Sequence, residues 1–156
     1  MANDTHARPA ALLALDWGTS SLRGARIDDL NLATYRRTID PASDEVTLLA
    51  PAGTEFGHDA FFGWELQSGE DVRTLAGADT EWTAPAGARL TPETPVTLTL
   101  RADGVVIERT IAIDENYMFT ITDVMRNESG AAVSLRPLGV VRRQGMPENY
   151  RNNPIV

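Results

Sequence analysis

The sequence predicts an all-β fold, an antiparallel β-sandwich, and three observations predict it. Apolar residues alternate along residues 96–101 and recur on one face of residues 105–113, at 105, 107, 111 and 113. Clusters of Asp, Asn, Gly and Ser punctuate these runs at residues 102–104, 114–116 and 127–130. No segment sustains the 3.6-residue apolar period of a helix.

Element by element, residues 11–16 are a short apolar run that enters the small-residue turn Trp17-Gly18-Thr19-Ser20-Ser21, which reads as a buried strand and turn. Residues 24–35 mix apolar and charged positions in near alternation, and Asp40-Pro41 stops that segment because proline disfavours a helical residue before it. Residues 46–49 read as a strand. Phe61-Phe62-Gly63-Trp64 is an aromatic cluster beside glycines, and the stretch from there to Pro95 reads as loops with one or two short strands.

The clearest pattern follows. Val96, Leu98 and Leu100 share one sheet face while Thr97, Thr99 and Arg101 share the other. Ala102-Asp103-Gly104 tolerates positive φ, and the chain returns with Val105, Ile107, Ile111 and Ile113 on one face, making a hairpin. Asp114-Glu115-Asn116 turns into residues 117–126, where Tyr117, Phe119 and Ile121 alternate with Met118, Thr120 and Thr122. After the turn at residues 127–130, Val133 and Leu135 continue the pattern, Pro137 breaks it and residues 138–141 resume it. The expected result is a meander of four strands and a fragment. Its apolar face needs a second layer, for which the segments around Ile27, Val46 and Phe61 are the available material.

Composition narrows the function. The chain has 156 residues, enough for one sizeable core, and no cysteine, which excludes disulfides and thiolate metal sites. All 14 basic residues are arginine, and 22 acidic residues give a formal net charge of −8. That balance argues against nucleic acid and anionic lipid, which need concentrated positive surface. No apolar run approaches the ~20 residues of a membrane span, and residues 1–9 lack the layout of a secretion signal. The chain by itself is expected to remain soluble in the cytoplasm.

Candidate sites are few. His6 and His58 lack paired-ligand spacing, so no metal and no cofactor is expected; His58-Asp59 reads as a loop pair. Asp28-Asp29 and Asp114-Glu115 are adjacent carboxylates whose side chains would point to opposite strand faces, which suits turns better than shared acid-base work. Phe61, Phe62 and Trp64 are candidates for a binding cleft and, with Trp82, for core packing. Arg142 and Arg143, with Arg136 and Arg151, are a candidate docking surface for an acidic partner or a charged guard on an edge strand.

Several of these segments also resemble a known family. Residues 24–30 (GARIDDL), 35–38 (YRRT) and 46–51 (VTLLAP) look like the opening of the periplasmic domain of YidC-type membrane-protein insertases. Phe62-Gly63-Trp64, Thr91-Pro92, residues 95–98, Glu108-Arg109-Thr110, residues 114–120 (DENYMFT) and residues 145–148 (GMPE) resemble it in the same order, and DENYMFT is the most specific piece. The resemblance covers residues 24–156. It implies a mutarotase-like super-sandwich held on the periplasmic face of the inner membrane, truncated here at its C-terminus and without the membrane bundle that performs insertion. It also implies Sec translocon components such as SecF, and the insertase's own membrane bundle, as partners.

Residues 1–23 read as an unrelated segment. Within it, residues 14–23 (ALDWGTSSLR) resemble the first phosphate loop of 2-keto-3-deoxygalactonokinase-like sugar kinases, in which Asp16 would hold metal-bound water and Gly18, Thr19 and Ser20 would approach phosphate oxygens. The sequence therefore predicts a non-enzymatic insertase-domain fragment with a docking or spacing role. The alternatives are a fragment of an ATP-dependent sugar-acid kinase and a carbohydrate-binding sandwich module.

Overall fold

In the computed structural model, residues 21–27, 30–51 and 53–145 are described, and they form ten β-strands and no helix. In chain order these are β1 (Ser21–Arg23), β2 (Leu30–Arg36), β3 (Glu45–Leu49), β4 (His58–Ser68), β5 (Asp71–Ala76), β6 (Glu81–Thr83), β7 (Val96–Ala102), β8 (Val105–Ile113), β9 (Phe119–Asn127) and β10 (Ser134–Arg143). They assemble into a five-stranded sheet of order β1-β6-β7-β8-β9, a three-stranded sheet β10-β4-β5 and the two-stranded ribbon β2-β3, with every pairing antiparallel. The fold is all-β and sandwich-like, as the alternation predicts.

The register of the β7–β8 hairpin is the expected one. Val96, Leu98, Leu100, Val105, Ile107, Ile111 and Ile113 are all buried, whereas Thr97 is exposed. Asp103 and Gly104 form the two-residue loop between the paired Ala102 and Val105, both at positive φ (53° and 73°), which lets the strand twist continue through the turn. Leu66, Leu75 and Ala76 from the β4–β5 side join Leu98, Ile107 and Ile111 in one hydrophobic cluster, so the two larger sheets share a core.

Three expectations are corrected. The meander stops at three strands: β10 leaves it and pairs along its whole length with β4, from Ser134 opposite Gln67 to Arg143 opposite His58. Pro137 does not break β10, because β10 is the edge of its sheet and an edge strand tolerates a missing N–H. His58 and Asp59 are not a loop pair but the first residues of β4, and Asp59 is buried, ion-paired with Arg142 at 2.9 Å and Arg26 at 3.5 Å. The material expected to form the second layer does contribute: β4 supplies its main strand, the β2–β3 ribbon that carries Val46 adds Leu30 and Leu49 to the core, and Ile27 bridges Ala60 on β4.

The DENYMFT segment is a tight turn. Asp114 Oδ1 accepts from the backbone N–H of Asn116 and of Met118, both at 2.8 Å. Tyr117 sits at φ 65°, a left-handed conformation costly for a bulky residue. Its hydroxyl accepts from the Thr34 N–H at 3.2 Å and its ring meets Tyr35 edge-on at 6.3 Å, so the turn between β8 and β9 is tied to β2.

Candidate functional site: a groove between two strand edges

β8 places an arginine where its pattern calls for an apolar residue. Residues 105, 107, 109, 111 and 113 share the core face, and Arg109 is fully buried among them. β9 answers with Asp123, directly opposite Arg109 in the ladder and on the same parity as Phe119, Ile121 and Met125. The pair is bidentate: Arg109 Nε donates to Asp123 Oδ1 at 2.8 Å and Nη2 to Oδ2 at 2.6 Å. Arg109 Nη1 donates to the Phe62 carbonyl on β4, and Trp64 Nε1 donates to Asp123 Oδ2 at 2.6 Å. The guanidinium also lies 4.7 Å from the centroid of the Trp82 ring on β6. One charge pair thus bolts the two sheets together, with its charges satisfied by each other.

Above this pair a groove of about 600 Å³ opens between β4 and β10 on one side and β8 and β9 on the other. Phe62, Trp64, Phe119, Ile121 and Leu138 line it over Arg109 and Asp123. Gly63 lies between the two aromatic residues for a steric reason: a Cβ there would stand 2.2 Å from the Ala76 carbonyl oxygen, where β5 closes on the β4 bulge.

The structure divides the predicted cleft residues. Phe62 and Trp64 line the groove. Phe61 is buried elsewhere, with the Arg142 guanidinium 5.5 Å from its ring centroid, and Trp82 is core. Of the predicted docking arginines, Arg142 is engaged by Asp59, whose hydrogen bond raises the Arg142 pKa, and Arg136 pairs with Glu65 at 2.6 Å. Arg143 is exposed. Asp16, Gly18, Thr19 and Ser20 lie outside the described residues. Among the described residues no cluster of His, Asp or Glu suits a metal ion, and no helix is long and apolar enough to cross a membrane. Arg109 and Asp123 escaped sequence reasoning, although a signal existed: each occupies a core-parity position in an otherwise apolar alternation.

The described residues thus form an antiparallel sandwich-like domain with an apolar-lined groove over a buried, mutually paired arginine and aspartate. The chain belongs to one family of such domains, the YidC periplasmic domain, whose family model matches residues 15–155. It is 48% identical over 136 residues to a membrane protein insertase YidC of Ruegeria sp. (strain TM1040), covering 86% of this chain and 22% of that protein. The insertase YidC of Nitrobacter hamburgensis is 43% identical over 131 residues (83% of this chain, 21% of that protein), and that of Maricaulis maris is 42% identical over 140 residues (89% and 23%). The chain therefore spans about a fifth of the length of the curated relatives it matches. No solved structure matches it at a significant level. The kinase resemblance of residues 14–23 finds no support in these comparisons, and the family match already begins at residue 15.

Proposed function

We propose that this chain is the non-catalytic domain of a YidC-type membrane-protein insertase, standing on the periplasmic side of the inner membrane and serving to dock partners or to space them from the bilayer. The observation that carries this reading is the 48% identity to a named insertase over 86% of the chain, together with a family match across nearly all of it. The geometry agrees with a docking role. The buried Arg109 and Asp123 are engaged with each other rather than poised for proton transfer, and the groove above them is lined mainly by apolar side chains. A Sec translocon component of the SecF kind is the partner the resemblance implies, with Arg143 the exposed candidate contact.

The test is a domain exchange. The corresponding segment of the Ruegeria relative is replaced by this chain or deleted, and insertion of a test membrane protein is followed in cells depleted of their own insertase. The exchanged protein should support growth and cross-link to the Sec partner. The deleted form should keep insertion while losing the cross-link. Insertion of a membrane protein into liposomes by this chain alone would overturn the reading.

A further inference from the structure

Two irregularities of the backbone meet between the β2–β3 ribbon and the β8–β9 turn. The first is in the ribbon. Its register steps from Leu32 opposite Val46 to Arg36 opposite Glu45, so residues 33–35 of β2 bulge out with no register partner on β3. Thr34, at the centre of the bulge, donates its backbone N–H to the Tyr117 hydroxyl at 3.2 Å instead, and its Oγ1 lies 3.2 Å from the same oxygen. The second irregularity is Tyr117 itself, at φ 65°. An aromatic residue is a costly choice at such a position, where glycine or asparagine is the ordinary one.

The turn holds Tyr117 from both sides. Besides the two bonds to Asp114 Oδ1, the Tyr117 N–H donates to the Asp114 carbonyl at 3.1 Å and the Asp114 N–H to the Met118 carbonyl at 3.0 Å. Glycine would form the same turn without the steric cost, so the turn alone does not account for a tyrosine; its contact with the bulge does. The ribbon has a use for such a fastening. Its base is sunk in the domain: Leu30 is buried, Leu32 and Leu49 pack against the core, and the flanking Ile27 and Ala50 bridge to Ala60 and His58 on β4. Beyond Leu32 the chain emerges, and residues 34–42 are all exposed.

We propose that Tyr117 is a latch: it holds the outer part of the β2–β3 ribbon against the β8–β9 turn, and when it opens, residues 34–45 swing away as one hairpin about the bulge. Thr34 is the catch. Asp114 is a positioning residue, acting through the backbone of Tyr117 rather than on the ribbon. The released hairpin keeps its own bonds, Arg36 to Glu45 at 3.6 Å and the Arg37 N–H to the Asp44 carbonyl at 2.9 Å, so it moves as a unit rather than unravelling. Every group involved lies within residues 27–118, and the latch operates whether or not the domain docks a partner.

Amide hydrogen exchange, on this chain and on the exchanged insertase that carries it, reads the latch directly. Tyr117→Phe removes only the hydroxyl and should speed exchange at Thr34 about tenfold, with smaller gains over residues 35–45 and none along the β8–β9 ladder. Tyr117→Gly relieves the left-handed backbone and should release the ribbon further while Asn116 and Met118 stay protected. Asp114→Ala should speed Thr34 exchange from a distance, and Asp114→Asn, which keeps an oxygen acceptor, should leave it slow. The chain has no cysteine, so spin labels placed through Ile39→Cys and Val124→Cys, both exposed positions, should report one narrow distance in the parent and a broader distribution once Tyr117→Phe is added. Unchanged Thr34 exchange in Tyr117→Phe, or loosening of β8 and β9 along with the ribbon, would overturn the proposal, since the side chain would then be a plug of the core. So would a ribbon that stays protected in Tyr117→Gly, or a response present in this chain and lost in the exchanged insertase, because other contacts would then hold the ribbon.

Discussion

Removing the Asp123 carboxylate leaves the Arg109 guanidinium charged and buried beneath an apolar groove, which is the costly half of a buried ion pair. Asp123→Ala should lower unfolding free energy by about 3–5 kcal/mol in urea titrations, whereas the paired change Arg109→Met with Asp123→Leu should restore much of it. At the surface the scale differs. The Arg126 hydrogen bond, with its charge, holds the Glu108 carboxyl below its ordinary pKa. A carboxyl depressed by folding stabilises above its unfolded pKa and loses that contribution as pH falls through the folded value. Glu108→Gln should therefore reduce stability slightly near neutrality and flatten its acid dependence below about pH 4.3, the ordinary Glu value, as followed by melting temperature against pH. Exposure keeps the effect small.

Within a single element the sequence is a good guide wherever one strand face is buried. Leu98→Ala should cost about 2–5 kcal/mol and Thr97→Ala far less, because Leu98 is fully buried and Thr97 is exposed; similar losses at both would contradict the register. The hairpin turn was legible from Asp103-Gly104 for the same kind of local reason, positive φ. The destination of β10 was not. Alternation states which face of a strand is buried but not which strand lies beside it, and β10 and β4 meet from opposite parts of the chain. Pro137 looked like a break because a proline forbids only a central place, and edge status is a property of the assembled sheet. Arg109 was passed over because a charge in an apolar alternation is intelligible only with its cross-strand partner, and that partner follows from the β8–β9 register. Of the cleft candidates, Phe62 and Trp64 share the groove, while Phe61 next to them packs beneath Arg142.

For the molecule as a whole, exposed apolar side chains on and near β9, Met118 at 66% and Val124 at 54%, beside an edge that has no outer partner among the described residues make self-association of this chain an expected hazard. Val124→Lys should lower light scattering at high protein concentration while leaving the melting temperature nearly unchanged. The union of β4 and β10 carries a further consequence, one of time. The Arg142–Asp59 bridge that helps close it spans 83 positions of sequence. A growing chain emerging from the ribosome delivers β4 first and β10 much later, with β7, β8 and β9 able to form their local hairpins in between. Until β10 arrives, the longest strand of the smaller sheet, with Phe62 and Trp64 on it, waits with a bare edge. Synthesis order therefore places the docking of β10 onto β4 after the local β7–β8–β9 hairpins.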